Sequence, residues 1–328
     1  MPSYAHLSYE EREQIAFLRA AGKSLRAIAE ALGRCVSTIS RELRRNRLPS
    51  GGYSPRFASG AYLERRERSA VLEEDDKLRR FVFLRLSEGW TPEQISGWLK
   101  SGAEPGLRPL GTETIYAFIY RPSQKAERLW LYLCRRHKRR GRRKRRKGKA
   151  MIKDRASIHY RPQVIDTREE IGHWEGDLIF CRRTRPVLVL HERKSRFTLA
   201  ARLTGKNAAE TAAVIMNIFR RLSRELRKSI TFDNGTEFAH HKLLREALNM
   251  TTWFCDAYAS WQKGGVENTN SRLRRWLPRQ LDIDNLGDDE LQEIIMTCNL
   301  TPRKCLGFIT PFQAILKDLG KDVEIRFA

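Results

Sequence analysis

The sequence predicts a multidomain protein: two N-terminal all-α units followed by an α/β core with a mixed five-stranded sheet. Three observations predict it. Helical periodicity with repeated capping signals occupies the first third of the chain. A block of like charge follows at 135–149. From about residue 165 the apolar pattern changes to short runs that read as strands alternating with helices. At 328 residues the chain is also too long for one compact domain.

Ser8-Tyr9-Glu10-Glu11 is a capping box and opens a helix to about residue 21, where Gly22 stops it. Residues 24–32 make a second helix with Leu25, Ile28, Ala29 and Leu32 on one face. Gly33 supplies a tight turn into a third helix, 36–45, whose Val36, Ile39 and Leu43 point inward. Ser37, Thr38, Ser40, Arg41, Arg44 and Arg45 then face out. Two short helices joined by a Gly-containing turn, the second rich in hydroxyls and arginines, suit a helix-turn-helix lying in the major groove of DNA. Hydroxyls and guanidinium groups there reach base edges and phosphates. A three-helix packing unit with a solvated face is the alternative; the near absence of acids on the outer face favours DNA. Residues 1–48 are assigned to this domain.

Residues 49–75 read as a linker, with Gly, Pro and Ser crowding 48–60 and an exposed helical stretch of both charge signs over about 61–72. A second helix-turn-helix is expected over 76–122. Its first helix is amphipathic through Leu78, Phe81, Val82, Leu84 and Leu86. Thr91-Pro92-Glu93-Gln94 is another capping box, with Pro at the first helical position, and its helix buries Ile95, Trp98 and Leu99. After a Gly/Pro-rich loop, Gly111-Thr112-Glu113 starts a helix to Tyr120 with Ile115, Phe118 and Ile119 as core. Thr112 and Thr114 are its candidate DNA contacts, and a packing domain without DNA contact is the alternative.

Residues 123–160 read as a basic linker. Within it, 135–149 holds 12 Lys or Arg among 15 positions and no acid. Such a block builds no core and suits a polyanion, with binding that weakens steeply in salt. Arg139, Arg140, Arg142, Arg143 and Lys144 are candidate DNA contacts. Residues 161–328 form the α/β core. Strands are expected at 174–180, 187–192 and 196–203, then a helix at 207–226, a strand at 230–233 and a helix at 240–248. A fifth strand at 252–255 and a helix at 264–277 complete it. Three meandering strands, then helix, strand, helix, strand, helix, is a ribonuclease-H-like order with helices on both faces of a mixed sheet.

Composition narrows the partners. The 63 Lys and Arg outnumber 39 Asp and Glu, leaving +24, so polyanions come first. No apolar run is long enough to span a membrane, and the N-terminus lacks a signal-peptide core. The six scattered cysteines form no C-x-x-C pair and read as reduced thiols, not a disulfide framework or a zinc site. A cytoplasmic location is expected.

In the expected order the first and fourth strands lie side by side, which brings Asp177 in mid-strand near Asp233 at a strand end. Carboxylates that close stay ionised when a cation sits between them. Mg²⁺ suits the pair as a hard ion that keeps exchangeable waters, with Mn²⁺ as a substitute. Glu267, in the first turn of its helix, completes a set able to hold two ions for in-line displacement at phosphorus. The 56 positions from Asp177 to Asp233 accommodate two strands and a helix; the 34 from Asp233 to Glu267 accommodate helix, strand and loop. Glu175 shares the strand face of Asp177 and is a supporting partner, while Glu237 and Asp256 are assigned structural roles. His173, His240 and His241 are expected at the surface or on DNA. Trp261 is a candidate for stacking on a nucleotide, with core packing the alternative. Lys263, Asn268, Asn270 and Arg274, around the first turns of the Glu267 helix, are candidate DNA-backbone contacts.

Motifs along nearly the whole chain resemble the insertion-sequence-thirty family of bacterial transposases. They are L-S-Y-E-E-R-E-Q-I and S-T-I-S-R-E-L, then W-T-P-E-Q-I-S-G-W-L and T-E-T-I-Y. In the core they are R-A-S-I-H-Y-R-P, I-G-H-W-E-G-D-L-I, E-R-K-S-R-F, T-F-D-N-G-T-E-F, W-Q-K-G-G-V-E-N-T-N and P-R-K-C-L-G-F-I-T-P. The resemblance implies that Asp177, Asp233 and Glu267 are a D-D-E triad. It further implies that the helical units bind the element's terminal inverted repeats, and that 3′-hydroxyls freed at the ends are joined to target DNA by transesterification. Two paired ends imply a homo-oligomer, at least a dimer, on double-stranded DNA. The sequence departs from the family pattern at Val266, where a polar residue is usual, and at the basic turn C-R-R-T-R-P, where glycines are usual. Two other functions compete: a DNA-binding regulator with an inert nuclease-like core, and a structure-selective nuclease.

Overall fold

The computed structural model describes residues 6–66, 71–133, 152, 154–182, 185–257, 259–321 and 323–327. Two compact units divide the chain between Glu74 and Asp75. The first contains α1 (Tyr9–Ala20), α2 (Leu25–Ala31), α3 (Val36–Arg45), α4 (Pro55–Arg66) and α5 (Val71–Glu74). The Ser8–Glu11 capping box closes the start of α1, and the Ser24 hydroxyl caps α2. Gly33 makes the turn into α3 at φ +60°, a left-handed conformation that suits glycine. Leu7, Ile15, Ile28, Ala29 and Ile39 form the core of this unit, and an Arg12–Glu42 ion pair at 3.0 Å ties α1 to α3. The supposed linker is partly helix. Ser54 precedes Pro55 at the first helical position, and fully buried Ala58 anchors α4.

The second unit opens with α6 (Asp76–Ser87), α7 (Pro92–Lys100) and α8 (Thr112–Ile119). These helices pack against the α/β core. Gln94 Nε2 donates to Pro302 O at 2.5 Å, and Lys304 pairs with Glu93 at 2.6 Å. A Cβ on Gly97 would lie 2.1 Å from the Phe308 ring, so α7 lies close against that segment. Arg275 donates to the carbonyls of Leu86 and Tyr132. Seven of the nine α7 residues are buried, which leaves this helix little surface for DNA.

The strands are β1 (Ala156–Ser157), β2 (His173–Phe180), β3 (Pro186–Glu192), β4 (Thr198–Arg202), β5 (Ser229–Phe232) and β6 (Thr251–Phe254). The helices are α9 (Gln163–Thr167), α10 (Ala208–Arg220), α11 (Lys242–Leu248), α12 (Gly264–Leu273), α13 (Asp288–Asn299) and α14 (Pro311–Asp318). The sheet order is β1-β6-β5-β2-β3-β4. β2, β3 and β4 form an antiparallel meander, and β5, β6 and β1 extend it in parallel from the other side of β2. The ribonuclease-H-like order is therefore present, with six strands among the described residues instead of the expected five. The additional strand, β1, lies in the stretch assigned to the basic linker; its two residues are too few to carry a readable alternation.

Alternation along β2 sorts its side chains. Trp174 and Leu178 join Leu188, Leu190, Ile230 and Phe232 in a core completed by Ile215 and Phe219 of α10 and Leu244 of α11. Ile179 joins Val187, Val189, Val266 and Leu273 of α12, and Leu291 of α13, on the opposite face. Glu175 and Asp177 share the parity of Ile179, so both belong to the face that α12 covers.

Candidate active site

β2 and β5 pair in parallel with His173 opposite Ser229 and Glu175 opposite Thr231. That offset of 56 residues is also the separation of Asp177 and Asp233. Two residues beyond the paired stretch, at the same end of adjacent strands, the two carboxylates therefore come level. Lys263, immediately before α12, bridges them: its Nζ donates to Asp177 Oδ1 at 2.8 Å and to Asp233 Oδ2 at 2.8 Å. Asp177 Oδ2 accepts from Asn270 Nδ2 at 2.7 Å, and Asp233 Oδ1 accepts from Gly235 N at 3.0 Å. Both acids are partly open to solvent, whereas Lys263 is 3% exposed. Burial works against the Lys263 ammonium, but attraction and hydrogen bonds from Asp177 and Asp233 outweigh it and hold its pKa well above the usual lysine range. Nearby, burial pushes the Cys255 thiol up to about 11, so it stays protonated at neutral pH.

Glu267 lies four residues after Lys263 and three before Asn270, on the helical stripe those residues share. Both neighbours on that stripe reach the aspartates. Among the described residues, its carboxylate makes no hydrogen bond or ion pair, and no three His, Cys, Asp or Glu side chains are gathered closely enough to hold a metal ion. Asn270 Oδ1 is buried without a hydrogen-bond partner, an oxygen acceptor left over beside Asp177.

Behind these groups, Glu175 is 1% exposed and pairs with buried Arg193. Its Oε2 accepts from Val266 N at 2.8 Å, in the first turn of α12. A Cβ on Gly265 would lie 2.8 Å from that same oxygen and 2.8 Å from the His191 ring. Glycine there lets the helix approach β2 and β3. Thr269 and the ring of His191 bond at 3.1 Å one turn further on. The supporting role expected of Glu175 is thus a clamp on the helix that carries Glu267, a contact that strand alternation could locate on a face but could not pair with Val266.

The other candidate residues divide between contacts inside the protein and the surface. Of the residues expected on the DNA backbone, Lys263 bonds both aspartates and Asn270 bonds Asp177, because the N-terminal end of α12 turns towards β2. Arg274 donates to the carbonyls of Phe180 and Leu277, joining α12 to the end of β2. His173 and His241, expected at the surface, are each 5% exposed, since β2 is central and buried on both faces. His173 bonds Ser229 and Glu170, and His241 bonds Thr252. His240, Asn268 and Trp261 are exposed, Trp261 at 75%. Glu237 is buried and pairs with Lys206, and Asp256 bonds His159 and Gln262. Val266, the departure from the family pattern, is fully buried under the sheet. A cleft of about 580 Å³ beside α12 is lined by Asn268, Arg272, Arg274, Arg275 and Trp276 among others.

In the first unit, Ser37, Ser40, Arg41, Arg44 and Arg45 are exposed and Thr38 is half-buried; in the second, Thr114 is exposed and Thr112 half-buried. Arg139, Arg140, Arg142, Arg143 and Lys144, with the rest of 135–149, lie outside the described residues.

Comparison with known proteins decides the family. The chain is 36% identical over 326 residues to the transposase InsI for insertion sequence element IS30A of Escherichia coli, covering 95% of this chain and 83% of that one. It is 36% identical over 330 residues to the transposase for insertion sequence element IS1086 of Cupriavidus metallidurans, covering 98% and 97%. The chain belongs to the IS30 family of transposases. A third relative, the transposase for insertion sequence element IS4351 of Bacteroides fragilis, is 32% identical over 93% of this chain and 94% of its own. A helix-turn-helix domain model matches residues 3–46, which shows one such domain in this IS30-family protein, at its N-terminus. Among solved structures, the catalytic core domain of BIV integrase aligns with 45% of this chain and 96% of its own at 21% identity and a TM-score of 0.36. The core fold is read from the strand order.

No helix among the described residues is long and apolar enough to cross a membrane.

Proposed function

We propose that this protein is a Mg²⁺-dependent DNA transposase that binds the terminal inverted repeats of an insertion sequence. It cleaves at their ends and transfers the freed strands to target DNA through Asp177, Asp233 and Glu267. The observation that carries the proposal is the level pair of Asp177 and Asp233 sharing one cation, the Lys263 ammonium. Two carboxylates that already share a cation suit a divalent ion, and the unpartnered Asn270 Oδ1 adds a hard oxygen donor beside them. Asp177 and Asp233 would hold the metal, with Glu267 joining from α12. Mg²⁺ held there supplies Lewis-acid polarisation of the scissile phosphate and the attacking oxygen.

The chain's own residues do the rest. Asn270 fixes the Asp177 carboxylate by bonding Oδ2, and the turn at Gly235 fixes Asp233 through Oδ1. The Glu175–Val266 bond sets the height of α12, and with it Glu267, above the strand that carries Asp177. Arg41, Arg44 and Arg45 of α3 supply phosphate and base-edge donors for the repeat. Two DNA ends held together call for at least a dimer, and Mn²⁺ would substitute for Mg²⁺.

The test is cleavage and joining of a labelled terminal fragment in Mg²⁺. Asp177→Asn, Asp233→Asn and Glu267→Gln are each expected to lower the rate by at least about a hundredfold, the scale of losing one electrostatic group at a reacting centre. Undiminished activity in any of them would remove that residue from the triad. One observation favours a regulator with an inert core: the described residues gather no three acids. Tight binding of the terminal fragment by the wild-type protein, with neither cleavage nor joining, would select that function.

A further inference from the structure

Lys263 has no assigned part in the chemistry, yet its Nζ makes two 2.8 Å contacts to the two aspartates and its side chain is 4% exposed. Burying an ammonium is costly unless it is paired, and here both partners are proposed metal ligands. One positive charge between two carboxylates leaves the group at −1; a divalent cation in the same place would leave it neutral. The two cations compete, because like charges cannot share that gap. Glu175 holds Val266, and a Cβ on Gly264 would meet nothing within 4 Å, so there is open space beside Lys263 at the start of the helix.

We propose that Lys263 is an internal placeholder for the divalent cation: its ammonium holds Asp177 and Asp233 in the metal-free protein and is displaced when the cation binds. The proposal rests on the metal reading given above. It explains why a buried ammonium bridges two aspartates that come level on adjacent strands. It also assigns the freed ammonium a place beside the site, where a backbone phosphate of bound DNA is a suitable counter-charge.

The experiment is a Mn²⁺ titration of the full chain, followed by the loss of the free-ion electron paramagnetic resonance signal. Wild type, Lys263→Met and an Asp177→Asn/Asp233→Asn double variant are compared. Removing the competing charge is expected to tighten Mn²⁺ binding by at least about tenfold in Lys263→Met, while the double variant loses the site. If the double variant loses the site but Lys263→Met binds no tighter than wild type, the placeholder is overturned and the metal reading survives. If the double variant binds as wild type does, both fall. A wild-type measurement decides the matter should Lys263→Met fail to fold. Acylation of the Lys263 amine, followed by peptide mass spectrometry, is expected to rise several-fold on saturating Mn²⁺ while other lysines stay constant. Unchanged labelling of Lys263 overturns the proposal.

Discussion

His191 shows how far a single residue's setting departs from its sequence context. Burial, followed by the charges of Arg196, Arg303, Arg168 and Arg193, drives its imidazole well below the ordinary value of 6.5. The folded protein therefore holds it neutral, while the unfolded chain takes up a proton below that pH. A depressed folded value makes stability whole above about pH 6.5 and lost progressively as pH falls towards it. Thermal midpoints measured from pH 7.5 to 5.0 are expected to fall more steeply in wild type than in His191→Asn. Parallel slopes would remove His191 as a cause. The spacing of Asp177 and Asp233 was legible in sequence because an acid within or just after a short apolar strand is a local pattern, and 56 residues is the β2–β5 offset itself. The bonds of Lys263 and Asn270 to the aspartates were not legible, because the reach of a side chain depends on the tilt of its helix over the sheet, which no local pattern encodes.

Helix α12 depends on one contact more than on its own propensities. Two glycines open it, its N-cap Lys263 makes no side-chain capping bond, and the Glu175 carboxylate instead takes the Val266 N–H. Replacing Glu175 by Gln preserves an acceptor but removes the buried counter-charge of Arg193, leaving it the more exposed Asp166 at 3.6 Å. A loss of about 3 kcal/mol in urea denaturation is expected, typical of breaking a buried ion pair. Cleavage of the terminal fragment should fall while its binding constant holds, since α3 is untouched. A Glu175→Gln protein as stable and as active as wild type would contradict the clamp. Among the elements, the capping boxes of α1 and α7 and the meander of β2 to β4 were readable from their patterns. β1 was not, because two residues carry no period. The helical pattern over 76–122 was readable too, but the burial of α7 against the segment around Phe308 was not, since that partner lies some two hundred residues away.

Across the whole molecule, a net charge of +24 and an exposed basic α3 describe a protein built to meet DNA, and an α/β core holds paired acids at the end of its central strands. The N-terminal helix-turn-helix, the mixed α/β core and the order of its five longer strands were legible because each depends on periodicities that recur within a few residues. The placement of Glu267 relative to the aspartates depends on how α12 seats under the sheet, and so it emerges only from the folded chain. The central claim is that Asp177, Asp233 and Glu267 converge on a divalent ion. Its most direct test is anomalous diffraction from Mn²⁺-soaked crystals of the protein bound to a terminal DNA fragment. The account predicts an anomalous peak about 2.0–2.2 Å from carboxylate oxygens of both aspartates, with Glu267 drawn into its surroundings and Lys263 withdrawn. Strong Mn²⁺ peaks elsewhere, with Lys263 still bridging Asp177 and Asp233 in the DNA complex, would contradict it.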